Sequence, residues 1–342
     1  MLRMEKLATI QRVKNVRKHT NADSLDLVDV LAWQVVVKRN EFAEGDLCIY
    51  IVTDSILPDK PNFEFLRNKN FRIKSIRLRG EPSSGICFPL GILKNMPNVP
   101  IDVILTEGSD VTDILGCVHY EKAVPAQLAG KIVGQRPSFI SKTDELNLRS
   151  YPALVEAMKG LPYYISRKDD GSSGSYFLKD GVFGVCSRNL QLLEEENNGF
   201  WKMAKKYNIE AILRNRFTDN VCLQAECVGP GIQDNHLGLK EVELHAFSII
   251  DLNTKRLVSL HDLKEFCGIN NIPMVTIIEE EDVFEYELHE LVSLANSQKY
   301  PNGSPAEGIV VRMQQYTYNT SERMAWCALS GKVMNENFKD KE

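Results

Sequence analysis

Residues 163–174 read YYISRKDDGSSG. Tyr163, Tyr164 and Ile165 form a short β-rich run, and Lys168-Asp169-Asp170-Gly171 then opens a loop of glycine and serine. A lysine at the end of an apolar strand, followed by small residues that let a ligand approach the backbone, is a place where a nucleophilic amine can meet a phosphate. The pattern Lys-x-Asp-Gly is short enough to arise by chance, so its surroundings decide what it means.

An amine attacks phosphorus only when neutral, and at an ordinary pKa near 10.4 only about one lysine in a thousand is neutral at neutral pH. Overcoming this requires about 4 kcal/mol, usually from nearby positive charge and partial desolvation. A nucleotidyl-transfer site around Lys168 therefore calls for acidic residues to hold a divalent metal and a second lysine for the phosphates. Glu226 lies in VCLQAECV, where strand alternation turns it away from Ala225 and Cys227. Glu307-Gly308 opens the apolar run IVVRM, and Lys332 lies in LSGKVMN. Taken singly, a strand glutamate is more often a solvent-facing residue.

Outward from this centre, GSYFLK, GVFGVCS, VCLQAECV, VELHAFSIIDL and GIVVRM read as strands. YPALVEAMKG, NNGFWKMAKKYNIEAILR and EYELHELVSLANSQ read as helices. This mixture predicts an α+β domain over residues 151–342 with mostly antiparallel sheets. Residues 1–120 carry the short β-rich runs LATIQRV, LDLVDVLAW, QVVVK, LCIYIV, FRIKSIRLRG and GICFPL, separated by turn residues. Regular spacing of short strands predicts an OB-like β-barrel. Residues 121–150, with Pro125, Gly130, Gly134 and Pro137 and little periodicity, read as a linker.

Net charge is -5 over 342 residues, which argues against coating nucleic acid by bulk electrostatics. The distribution is uneven. Residues 1–80 carry 15 Lys/Arg against 10 Asp/Glu, so the positive excess lies in the amino-terminal part. In FRIKSIRLRG, Lys74, Arg77 and Arg79 alternate with apolar residues and are candidates to touch nucleic-acid phosphates, with a solvated outer face as the alternative. The eight cysteines form no CxxC pair and the six histidines no HxH or HExxH, so buried reduced thiols are expected and a structural metal is not. No apolar run reaches membrane-spanning length and the first residues lack a signal-peptide pattern, so an intracellular protein, cytoplasmic or nuclear, with no membrane partner is expected.

Taken together, Lys168-Asp169-Asp170-Gly171, Ser187-Arg188-Asn189, Glu226, His245-Ala246-Phe247, Glu307-Gly308 and Lys332 resemble, in order, motifs I, Ia, III, IIIa, IV and V of the covalent nucleotidyltransferase superfamily. The segments PAQLAGK, RPSFISKTDE, GVCSRNL, QAECVGPGIQ and GLKE narrow the resemblance to ATP-dependent RNA ligases of the Deinococcus radiodurans and Naegleria type. That resemblance covers essentially the whole chain. It implies an OB domain ahead of an ATP-grasp-like adenylyltransferase domain. It also implies sealing of 3'-OH and 5'-phosphate ends through lysine-AMP and polynucleotide-adenylate intermediates, with ATP and Mg2+ or Mn2+ as cofactors. The implied partner is RNA or an RNA-containing nicked duplex, and the enzyme is expected to be a monomer.

Carried over by position, the resemblance makes Lys168 the nucleophile and places Asp170 on the ribose or the metal. It gives Arg188 a phosphate or ribose, Glu226 the ribose or metal, and Phe247 the adenine face. Glu307 takes the metal and Lys332 the α-phosphate, so Asp170, Glu226 and Glu307 form the expected metal set. Arg167 stands where the family commonly has Glu and is counted among the nucleotide-binding residues. Asp169 fills a position that is usually apolar, and Ser330 replaces the first lysine of motif V. DNA ligases and capping enzymes carry a further OB domain after motif V, whereas this sequence runs ten residues past Lys332, which disfavours both. A degenerate RNA-binding protein is the remaining alternative, disfavoured because all six anchors are present.

Overall fold

The structure is a computed structural model and describes residues 6–96, 106–120, 131–217, 219–317 and 328–339. Two compact units emerge, one comprising residues 4–122 with 149–152 and the other residues 1–3, 123–148 and 153–342.

In the amino-terminal unit, alternating β-branched and polar residues build a five-stranded antiparallel sheet. Its order is Trp33–Lys38, Leu25–Val30, Ala8–Lys18, Leu47–Ile51, Ile86–Pro89. A register shift between Val13 and Asn15 lets the long first strand bend as it passes from one neighbour to the other. Ile10, Ile49, Ile51, Leu57 and Phe63 fill one face, while Val28, Val30, Val35 and Tyr50 fill another cluster. The barrel-like runs read from sequence are present, with one exception.

FRIKSIRLRG is not a single strand. Asn70 and Phe71 are both left-handed, with φ of 51° and 57°, because they terminate the 3-10 helix Pro61–Lys69. The Phe71 amide bonds back to Leu66 O at 3.0 Å. Only Ile76–Leu78 is extended, paired with Glu81–Ser83, and Arg79 turns the hairpin with a φ of 49°. Arg77 and Arg79 are exposed on that hairpin and Lys74 is half-buried before it, so the expected continuous basic face is broken in two.

The larger unit holds two antiparallel sheets. The seven-stranded one runs Ile132–Gln135, Leu190–Leu192, Val182–Cys186, Ser172–Lys179, Val221–Val228, Glu243–Asp251, Arg256–Leu257. The four-stranded one runs Ile277–Glu281, Tyr163–Lys168, Gly308–Thr317, Ala328–Met334. Phe200, Met203, Leu213, Leu260, Leu263 and Phe266, from three helices, cover the larger sheet with one core. The helical run read over NNGFWKMAKKYNIEAILR divides into Gly199–Lys206 and Ile209–Phe217, because Asn208 adopts a φ of 50° between them.

The stretch read as a linker is, from residue 131, built into this unit up to Leu148. Ile132–Gln135 adds an edge strand against Leu190–Leu192. Lys332 N donates to Leu146 O at 2.8 Å and Leu148 N to Lys332 O at 2.9 Å. Its Gly and Pro residues signal local turns, while the pairing that orders it comes from residues far away in sequence, which periodicity does not register. Cys48, Cys87, Cys117, Cys186, Cys222, Cys227 and Cys267 are all buried and unpaired. No helix among the described residues is long and apolar enough to cross a membrane.

Candidate active site

The strand Tyr163–Lys168 is central in the four-stranded sheet, and cross-strand pairing sets what shares its face. Lys168 pairs with Gly308 and through it with Met334; Ser166 pairs with Val310 and Lys332; Tyr164 pairs with Arg312 and Ser330. Directly paired residues project to one side of a sheet, so Lys168, Lys332 and Arg312 share a face, two residues apart along the strands. On the other sheet, Ser173 pairs with Glu226 and Glu226 with His245. A bulge between Gln224 and Ala225 shifts the register, pairing Ala225 with Ala246 and Gln224 with Ser248, and leaves Phe247 as the extra residue. The sequence motifs are thus neighbours across strands.

At the centre, Lys168 Nζ lies 2.5 Å from Glu307 Oε2. Burial by itself lowers the pKa of the Lys168 ammonium, but Glu307, Glu226 and Asp170 outweigh it and hold the group above its ordinary value. Burial pushes the Glu226 carboxyl up to about 8; the Lys168 charge opposes the rise, while Glu307, Asp169 and Asp170 add to it. Three carboxylates therefore crowd one ammonium, and one of them is driven toward its neutral form. The site has a surplus of negative charge.

Tyr300, which sequence reasoning did not single out, ties this centre together. Its hydroxyl accepts from the amides of Asp170 at 2.9 Å and Glu307 at 3.2 Å and donates to Lys168 O at 3.1 Å. One buried oxygen thus fixes the loop after Lys168 against the Glu307 strand. Tyr300→Phe leaves two amides and a carbonyl short of a partner, each worth about 1–3 kcal/mol when buried. We expect a lower unfolding midpoint and at least a tenfold slower labelling of Lys168 by ATP. Wild-type labelling by the purified variant would exclude this role.

Asp169 also proves structural. Its side chain is fully buried, with Oδ2 2.6 Å from His245 Nδ1 and Oδ1 3.2 Å from Arg167 Nε. The pairing with His245 joins the two sheets directly beside Lys168, which is how a charged residue occupies a usually apolar position. Arg167, taken for a nucleotide contact, is committed to Asp169, to Lys299 O at 3.4 Å and to the Tyr300 ring at 5.1 Å. Asp170 Oδ2 lies 2.9 Å from His236 Nδ1. Gly171 sits where a Cβ would come within 2.3 Å of Cys227 O.

Arg188 and Lys332 converge on Asp144, from the segment read as a linker. Arg188 Nη2 is 2.8 Å from its Oδ1. Although burial raises the Asp144 carboxyl, Arg188 and Lys332 together hold it below its usual range. The same segment borders a cleft lined by Thr143, Glu145, Phe247, Ser248, Arg312 and Ser330. Lys74, Arg77 and Arg79 belong to the other unit.

Comparison with known proteins agrees with this arrangement. An OB-fold domain model matches residues 7–90 and an RNA ligase family model matches residues 161–326. No curated protein sequence matches. Among solved structures, Naegleria gruberi RNA ligase with PPi is 26% identical, covers 97% of both chains and superposes with a TM-score of 0.83. A mutant of that ligase with ATP and Mn gives 26% identity, 96% and 97% coverage and the same TM-score of 0.83. Another mutant, with AMP and Mn, gives 26% identity, 97% coverage of each chain and again 0.83. With these strands in register, Lys168 paired to Glu307 and an OB fold ahead of them, the chain combines an OB-fold domain with an RNA ligase domain and is similar to Naegleria gruberi RNA ligase along nearly its whole length.

Proposed function

We propose that this protein is an ATP-dependent RNA ligase that joins 3'-OH and 5'-phosphate ends, with Lys168 carrying AMP in the first step. The observation that carries this reading is the Lys168–Glu307 contact at 2.5 Å inside a ring of carboxylates, on a face shared with Lys332. Lys168 Nζ attacks the α-phosphorus and pyrophosphate leaves. Lys332 faces the same side and supplies positive charge to the phosphate, while Phe247 offers its ring to the adenine. Arg188, now held by Asp144, would exchange that partner for a phosphate.

The residues fit a divalent ion. Asp170, Glu226 and Glu307 would hold it, and their surplus charge around Lys168 is what such an ion relieves. Among the described residues no three His, Cys, Asp or Glu side chains are grouped so that they could hold a metal by themselves, so the reading requires substrate phosphates to complete the coordination. Bound there, Mg2+ or Mn2+ would neutralise the carboxylates that keep the amine protonated and draw charge from the phosphate. Lys74, Arg77 and Arg79, on the unit with the positive excess, are the proposed RNA contacts. Buried, unpaired thiols fit a reducing intracellular compartment, and we place the protein there as a monomer.

Incubation with α-labelled ATP and Mg2+ or Mn2+, followed by a 5'-phosphate nick with RNA at the 3'-OH side, tests the proposal. We expect label on Lys168 and then a sealed strand, with both lost in excess chelator. Undiminished labelling in chelator would refute the metal assignment, and labelling without sealing of any RNA end would refute the ligase reading.

A further inference from the structure

Arg312 is the most conspicuous buried charge whose role the reaction has not yet used. It is only 6% exposed. Its Nη2 lies 3.2 Å from Glu145 Oε1, and Glu145 is itself fixed by a 2.6 Å hydrogen bond from Ser330 Oγ. Its Nη1, by contrast, is buried and has no hydrogen-bond partner, although the Tyr164 phenol also interacts with the guanidinium. A guanidinium is a fixed fork of five donors, and leaving one amino group unpaired away from water carries a penalty larger than for a neutral group. Such an orphan donor, pinned on its other side, calls for an acceptor in the working state.

The surroundings indicate which acceptor. Arg312 borders the cleft that Phe247 also lines, with its guanidinium carbon 5.4 Å from the centre of that ring. An aromatic face beside a single in-plane donor suits a flat heterocycle that stacks on one and accepts from the other. Arg312 pairs with Tyr164, and Lys168 lies four residues further along that strand. At a rise of about 3.3 Å per residue this is about 13 Å, a gap that a nucleoside monophosphate and a lysine side chain span together. Lys332 stands between the two rows, level with the phosphate of a nucleotide laid in that direction.

We propose that Arg312 is a specificity-determining residue for the nucleotide, its free Nη1 donating a hydrogen bond to a ring nitrogen of the purine that stacks on Phe247, with Glu145 and Ser330 setting the plane of the guanidinium. This rests on the reading of Lys168 as the adenylylated nucleophile and adds a base-recognition role to a residue outside the motif anchors.

The test pairs changed substrates with a changed residue. Wild-type protein is labelled at limiting concentration with ATP and with its 1-deaza, 3-deaza and 7-deaza analogues, each lacking one ring acceptor. Loss of a hydrogen bond to a charged donor is expected to lower kcat/KM for one analogue by about 10- to 100-fold, leaving the others near ATP. In Arg312→Met, ATP itself falls by a similar factor and the penalty for that analogue disappears. If all three analogues label as ATP does, Nη1 is served by water and the proposal is overturned. It is equally overturned if the selective penalty persists undiminished in Arg312→Met. Should that variant not fold, the analogue series on the wild-type protein still decides. Failure of the ligase reading looks different, because no nucleotide would then label Lys168.

Discussion

Lys168→Ala is expected to take no label from ATP, a loss of at least about three orders of magnitude, because no other residue brings an amine to this position. Lys168→Arg sharpens the result. A guanidinium preserves the charge that Glu307 and Glu226 require, so that variant should fold as the wild type does, yet it cannot shed a proton to become a nucleophile. Both variants should still seal an RNA whose 5' end is already adenylylated, since the role proposed for Lys168 is only to move AMP from ATP. Near-normal labelling of either variant would remove Lys168 from its role, and inability to use the pre-adenylylated end would give it a further one.

The second large effect comes from one methyl group. A Cβ at residue 171 would stand 2.3 Å from Cys227 O, 2.8 Å from Glu226 Cγ and 2.9 Å from Val228 Cγ1. The first of these is backbone of a central strand and cannot swing aside, so the loop after Lys168 must move. Gly171→Ala should lose about 2–4 kcal/mol of stability, at the upper end for overpacking. Lys168 labelling should fall by roughly two orders of magnitude, as misplacement by an ångström commonly costs that much. Gly134→Ala, where nothing lies within 4 Å of the added carbon, is the control and should change neither. A Gly171→Ala protein that labels at the wild-type rate would show that the loop tolerates displacement.

The parts of this site that could be read from sequence are those that sit on one strand with a characteristic neighbour. Lys168 before Asp-x-Gly, Glu226 within an alternating run and Glu307 ahead of IVVRM announce themselves locally. So did the barrel strands, whose alternation depends only on one face being buried. Tyr300 gave no such signal: its three partners lie at 168, 170 and 307, and a tyrosine after a helix has many ordinary explanations. Asp169 was visible as a departure from the family, but its explanation, His245, lies 76 residues away. Residues 131–148 were misread because edge strands and segments held by single backbone bonds need no periodic pattern of their own. FRIKSIRLRG failed differently. Its alternation is real, yet its first residues are consumed in closing a helix, and a two-residue pattern does not reveal where the backbone turns.

The seven buried thiols give the molecule built-in probes of its own opening. Cys48, Cys87 and Cys117 lie in the amino-terminal unit, and Cys186, Cys222, Cys227 and Cys267 in the larger one. Burial pushes Cys117 up to about 11 and Cys186, Cys222 and Cys267 up to about 12, so in the closed state neither access nor thiolate is available to an alkylating dye. Modification of these thiols then waits on exposure, and each unit reports its own fluctuation clock through cysteines that belong to it alone. Cys227 pairs with Ser172, only four residues beyond Lys168, so a nucleotide that tightens the site should slow that one clock selectively while leaving those of the barrel running at their former pace.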